Sequence, residues 1–127
     1  MNRRGFTLIE LVIVVALLAI LMTLATPSYR VYVMRAHRSE AIAQMLSVAQ
    51  CQERTRADRG AYDLGLCLPG SLPRYQFAYQ AGSGGQGWTV RAQPRDAQAT
   101  DDCGTLELSH TGARHADGDE WRCWAGR

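Results

Sequence analysis

Between Phe6 and Ala25, 17 of 20 side chains are apolar, and no charge falls between Leu11 and Tyr29. A helix over those 19 residues, rising about 1.5 Å per residue, nearly matches a hydrocarbon layer of roughly 30 Å. The run is therefore long enough to span a membrane. Arg3 and Arg4 stand directly before it, and the positive-inside preference keeps them cytoplasmic and sends the remainder across. An ordinary secretory signal ends in a small-residue cleavage site, for which Ala25-Thr26-Pro27 is a poor match. The conspicuous small residue is Gly5, before the run, so a cut there keeps the helix and discards only a leader of residues 1–5.

Beyond the run lie about 100 residues, enough for one small domain and too little for a multidomain enzyme. Of the formal charge of +2, both units come from Arg3 and Arg4. Without the leader the chain holds 12 arginines against 12 acids, which is neither a polybasic nucleic-acid binder nor an acidic tail. All 14 basic residues are arginine, a bias that reflects coding more than function. Cys51, Cys67, Cys103 and Cys123 all lie on the translocated side, where an even number in a small domain reads as two disulfides. Three pairings are open to four cysteines. The sequential one, Cys51–Cys67 with Cys103–Cys123, is favoured because each closes a short loop, and each bond would contribute about 3 kcal/mol. The absence of any CxxC spacing argues against zinc.

Pro27 removes a backbone donor and should kink or locally open the helix. Residues 28–58 lack Pro and Gly, and Ile42, Met45, Leu46 and Ala49 have the i, i+3, i+4, i+7 spacing of a buried face. Arg38, Gln44, Gln52 and Arg56 would then lie away from that face or at its edges. Gly60 supplies a stop. Tyr75, Phe77 and Tyr79 alternate with polar or small residues, the Gly-rich 82–87 run makes a connection, and Trp88, Val90 and Ala92 supply a second strand that Pro94 ends. Thr105 to Ser109 reads as a third strand, Thr111-Gly112 as a turn, and Trp121 with Cys123 as a fourth strand. The expected fold is α+β, one long helix covered by three or four antiparallel strands.

Gly5-Phe6-Thr7-Leu8-Ile9-Glu10, after a short basic leader and before the apolar run, resembles the prepilin signature of bacterial type IV pilins. Cys103-Gly-Thr-Leu, Thr111-Gly-Ala and the terminal Cys123-Trp pair are similar to the closing region of small minor pilins. The resemblance implies the type IV pilin fold, cleavage between Gly5 and Phe6 by a prepilin peptidase, N-methylation of Phe6, and no catalytic activity or cofactor of its own. It also implies a filament-core helix over residues 6–29 and a periplasmic head over residues 30–127. The implied partners are other pilin subunits, met through the N-terminal helix, and inner-membrane assembly machinery. The subunit would wait in the inner membrane with its N-terminus cytoplasmic and then enter an extracellular pilus serving biogenesis, twitching motility, adhesion or DNA uptake. A type II secretion pseudopilin shares the N-terminus, but that family usually does without two disulfides. A lone membrane-anchored domain is the remaining reading. Glu10 has its own physical logic: a charge in this run costs about 3 kcal/mol unless paired, and cleavage would create a partner in the Phe6 amine of a neighbouring subunit.

Other candidates weigh less. Asp117-Gly118-Asp119-Glu120 offers hard oxygen ligands but lacks a calcium-loop pattern and reads as a solvated turn. His37, His110 and His115 lack metal spacing, and no hydrolase motif accompanies them. Tyr62, Tyr75, Tyr79, Trp88, Trp121 and Trp124 are read as sheet and core residues. DNA capture requires a local basic strip with exposed aromatics, for which Arg74, Arg91, Arg95, Arg114 and Arg122 are the candidates. Asp96, Asp101, Asp102 and Asp117 dilute it, so a solvated arginine face is favoured over nucleic acid.

Overall fold

A computed structural model describes residues 5–127. Residues up to Val33 and residues from Met34 to Arg127 form two compact units. Arg3 and Arg4 lie outside the described residues. The first unit is helical from Leu8, the start of α1 (Leu8–Arg59). Its large side chains, among them Leu11, Ile13, Leu17, Ile20 and Leu24, are exposed, and α1 is long and apolar enough to cross a membrane. Pro27 lies inside α1 without ending it. The hydroxyls of Thr23 and Thr26 donate to the carbonyls of Ile20 and Met22, so the turns before the proline carry additional side-chain bonds.

The second unit joins residues 34–59 of α1 to a four-stranded antiparallel sheet in the order β1-β2-β3-β4. Its strands are β1 (Tyr75–Ala81), β2 (Trp88–Pro94), β3 (Leu106–Ser109) and β4 (Arg114–Ala116). The fourth strand is therefore not the segment expected. Trp121 and Cys123 belong to a short helix, α2 (Glu120–Trp124). Asp119 caps α2, its carboxylate accepting from the Arg122 N–H at 2.8 Å, which satisfies an otherwise unpaired helical donor.

Register sorts the sheet's two faces. Phe77, Ala92, Leu106 and Ala116 form one cross-strand row, while Ala78, Arg91, Glu107 and His115 form the next, facing the opposite way. The first face packs on Ala41, Ile42 and Met45 of α1, with Tyr75, Trp88, Val90 and Leu108 completing the core. Sulfur bridges join Cys51 to Cys67 and Cys103 to Cys123. The first ties α1 to the loop after it; the second ties the segment before β3 to α2.

The buried face of α1 departs from its apolar spacing. Leu46 is 37% exposed, whereas Arg38 is 5% and Gln52 0% exposed. Arg38 turns inward to Asp101, whereas Gln52 and Gln44 face residues 61–73, irregular backbone whose donors and acceptors require partners. Gln52 donates to the Asp63 carbonyl at 2.7 Å and accepts from the Asp63 N–H at 3.0 Å. Gln44 accepts from the Gly70 N–H at 3.0 Å. Helix side chains thus stand in for a neighbouring strand. Further along, Gly104 has φ +54, and a Cβ there would lie 2.5 Å from Asp117 Oδ2, so no side chain fits where that carboxylate accepts from the Thr105 N–H.

Burial pushes the hydroxyls of Tyr75 and Tyr79 up to about 12. An unfolded tyrosine ionises near 10, so between about pH 10 and 12 the unfolded chain loses protons that the folded chain keeps, and stability falls. Thermal unfolding of the full chain in detergent is expected at lower temperature at pH 11 than at pH 9. Tyr75→Phe should reduce the difference; an unchanged midpoint would contradict the burial argument.

Candidate nucleic-acid interface

The five arginines singled out from the sequence do not form one strip. Arg91 and Arg122 have acidic neighbours. Arg91 Nε donates to Glu107 Oε2 at 2.6 Å across the β2–β3 pair, and an Arg122 terminal nitrogen lies 3.8 Å from Asp102 Oδ2. Both guanidinium charges are opposed locally.

Arg74 and Arg95 meet at the base of the β1–β2 hairpin. The register pairs Tyr75 with Pro94, which brings the flanking residues together, and the Arg95 N–H donates to the Arg74 carbonyl at 2.9 Å. The Arg95 guanidinium also donates to the Leu72 carbonyl at 3.1 Å, which orients it without neutralising it. Beside it an open cleft of about 360 Å³ runs between residues 68–71 and the β1 side chains Tyr75, Phe77 and Tyr79.

Arg114 occupies a different place, at the start of the edge strand β4. Its guanidinium carbon stands 5.3 Å from the Trp124 ring centroid, within cation–π range. Trp124 is fixed in turn, its indole N–H donating to the His115 carbonyl at 3.1 Å. Trp121 corrects the sequence reading most sharply. It is 82% exposed, forgoing the roughly 1.5–3 kcal/mol that burial of a large apolar side chain typically contributes. The other named aromatics pack inward: Tyr62 and Tyr79 each meet Trp88 edge-on, with ring centroids 6.3 and 6.2 Å apart.

The remaining candidates are dispersed over the molecule. Phe6, just before α1, and Glu10, in its first turn, are exposed, and the Glu10 backbone N–H donates to Thr7 Oγ1 at 3.3 Å. His37 lies 3.6 Å from Glu40, His110 packs beside Tyr62, and His115 pairs in register with Glu107. The carboxylates of Asp117 and Asp119 accept backbone N–H groups. Among the described residues no group of three or more His, Cys, Asp or Glu is arranged to hold a metal.

Sequence reasoning misses one cluster. Arg38 reaches Asp101 with two nitrogens, the Nε contact being 2.9 Å, and a third nitrogen donates to the Arg127 carbonyl at 2.9 Å. Gln98 donates to the same carboxylate at 2.9 Å and to the Met34 carbonyl at 3.0 Å. No local spacing announces this set, because α1 supplies Arg38 and the segment between β2 and β3 supplies its acidic partner.

Residues 27–107 match the family described as "Type IV minor pilin ComP, DNA uptake sequence receptor", and residues 1–26 match the prokaryotic N-terminal methylation motif. Among curated relatives, the fimbrial protein EcpC of Eikenella corrodens is 54% identical over 39 residues, 31% of this chain and 26% of its own. The type IV major pilin PilE of Neisseria gonorrhoeae is 55% identical over 40 residues, 32% of this chain and 24% of its own. The chain thus spans about a quarter of the length of these relatives. Among solved structures, a type IV pilin from Shewanella oneidensis is 33% identical with a TM-score of 0.57, covering 64% of this chain and 89% of that one. The non-core minor pilin PilV of Neisseria meningitidis shares the fold at 22% identity and a TM-score of 0.54, covering 68% of this chain and 89% of its own.

Proposed function

The chain belongs to the type IV minor pilins of the family described as ComP, DNA uptake sequence receptor, and from that premise we propose that its head binds duplex DNA as part of DNA uptake. The match over residues 27–107 carries this reading. It reverses the weighting suggested by a charge-balanced chain, because a receptor needs only a local arrangement of cations. Arg74 and Arg95 supply it: two adjacent residues at the hairpin base, of which Arg95 is exposed and tethered through a neutral carbonyl. Arg91 and Arg122 contribute less, each facing a carboxylate.

The apolar helix and the methylation motif fit a membrane-anchored pilin. In the proposed sequence of events the leader stays on the cytoplasmic side, a prepilin peptidase cuts between Gly5 and Phe6 and methylates Phe6, and the subunit joins a filament through residues 6–29 with residues 30–127 as its head. Nothing in this scheme requires catalysis by the chain itself.

Binding should be measured with the full chain in detergent and a labelled DNA duplex. Retention at about 50 mM salt that weakens steeply by about 200 mM is expected, since phosphate contacts release condensed counterions. Replacing Arg74 and Arg95 together by alanine should lower the slope of log affinity against log salt by about 2. Absence of retardation even at low salt would remove the DNA reading and leave a structural minor pilin.

A further inference from the structure

We propose that the notch between β4 and α2 is a stacking site for an unpaired nucleobase, so that single-stranded DNA ends bind this head more tightly than a blunt duplex. The inference rests on the DNA reading above and names the form of DNA that one face of the head prefers.

The notch measures about 510 Å³ and is lined by Arg114, Glu120, Trp121, Trp124 and Ala125, a size within the usual range for small planar ligands. Its parts are unequally engaged. Trp124 is held by the His115 carbonyl and covered by the Arg114 guanidinium. Trp121 is 82% exposed, so its ring is free to receive a second plane. In the interior of a duplex each base is stacked on both faces, and such a ring gains little there; only the paired, less pliable outer face of a blunt end is open. An unpaired base has a face to offer, and aromatic stacking of this kind is largely indifferent to sequence.

Charge narrows the occupant further. Glu120 places a carboxylate in the same notch as Arg114. The carboxylate repels a phosphate but accepts a hydrogen bond from an exocyclic amino group, as cytosine N4 provides. Arg114 is left to meet the neighbouring backbone phosphate or a base acceptor. A base lying on Trp121 with its amino edge toward Glu120 uses both charges, whereas a bare polyanion uses one and is opposed by the other.

The test compares a blunt duplex with the same duplex carrying a single-stranded run of cytosines, each titrated into the full chain in detergent. Binding of the overhang about tenfold tighter than the blunt form, with quenching of tryptophan emission, is expected. Trp121→Ala should abolish that advantage while leaving blunt-duplex affinity unchanged, which also reports an intact head, and Trp121→Phe should restore much of it. Thymine overhangs, lacking the amino donor, should bind more weakly than cytosine ones, and Glu120→Ala should narrow the gap. Blunt duplex bound with no overhang advantage, or an advantage that survives Trp121→Ala, overturns the stacking site and leaves the duplex reading standing. Failure of every DNA form to bind overturns the duplex reading itself, and the stacking site with it.

Discussion

Arg38→Ala is expected to destabilise the head by about 3–5 kcal/mol, the usual consequence of removing one partner from a buried ion pair. Arg38 and Asp101 are both nearly inaccessible. Without the guanidinium, Asp101 would keep its bond from Gln98 at 2.9 Å and longer ones from the Cys103 N–H at 3.3 Å and the Tyr75 hydroxyl at 3.4 Å, but no positive charge to offset its desolvation. The Arg127 carbonyl would lose its donor as well. Arg38→Lys preserves the charge but cannot reproduce a planar fork reaching three acceptors, so it should fall between alanine and the native residue. Urea titration of the full chain in detergent, followed by the buried Trp88, measures both variants. A loss below about 1 kcal/mol for alanine, well short of the usual penalty, would mean that water reaches the Asp101 carboxylate in the folded head.

That cluster also shows where the sequence stops being legible. The strands at 75–81 and 88–94 are readable because alternation of period two survives in single segments, and the helix end is readable because Gly60 takes φ +78, a conformation that favours glycine. The face of α1 is misleading for the opposite reason. Apolar spacing selects Leu46, but the helix buries Arg38 and Gln52 against partners at Asp101 and Asp63, and hydropathy cannot register a polar side chain whose partner is distant. At α2 the helix is five residues long, too short for its period to show, while the alternation of Trp121 and Cys123 imitates a strand. The one local clue is Asp119, a favoured capping residue before the first turn.

The arginine candidates are identifiable from sequence only as a population. Pairing across strands decides which guanidinium groups are opposed, and that depends on register: Arg91 stands opposite Glu107 because β2 and β3 pair as they do. Net charge therefore argues against DNA for a reason that the local geometry does not share. Arg95, held by a neutral carbonyl, retains its charge toward solvent.

Glu10 is expected to give the largest effect on assembly. Two explanations for a carboxylate at this position make different demands on the side chain. In the first, its role is local: the Glu10 N–H donates to Thr7 Oγ1, half of a Thr-x-x-Glu capping box in which glutamine serves as well as glutamate. In the second, its negative charge pairs with the Phe6 amine of a neighbouring subunit, removing two desolvation penalties together. Glu10→Gln separates them, since it keeps the cap and deletes the charge. Both Glu10→Val and Glu10→Gln should insert into the membrane, because each makes the run more apolar or less charged. With about 3 kcal/mol of pairing lost, filament incorporation should fall at least a hundredfold for both variants, measured by immunoblot of sheared filaments against the membrane pool. If glutamine incorporates normally while valine does not, the residue acts through the helix start and the intersubunit ion pair is wrong.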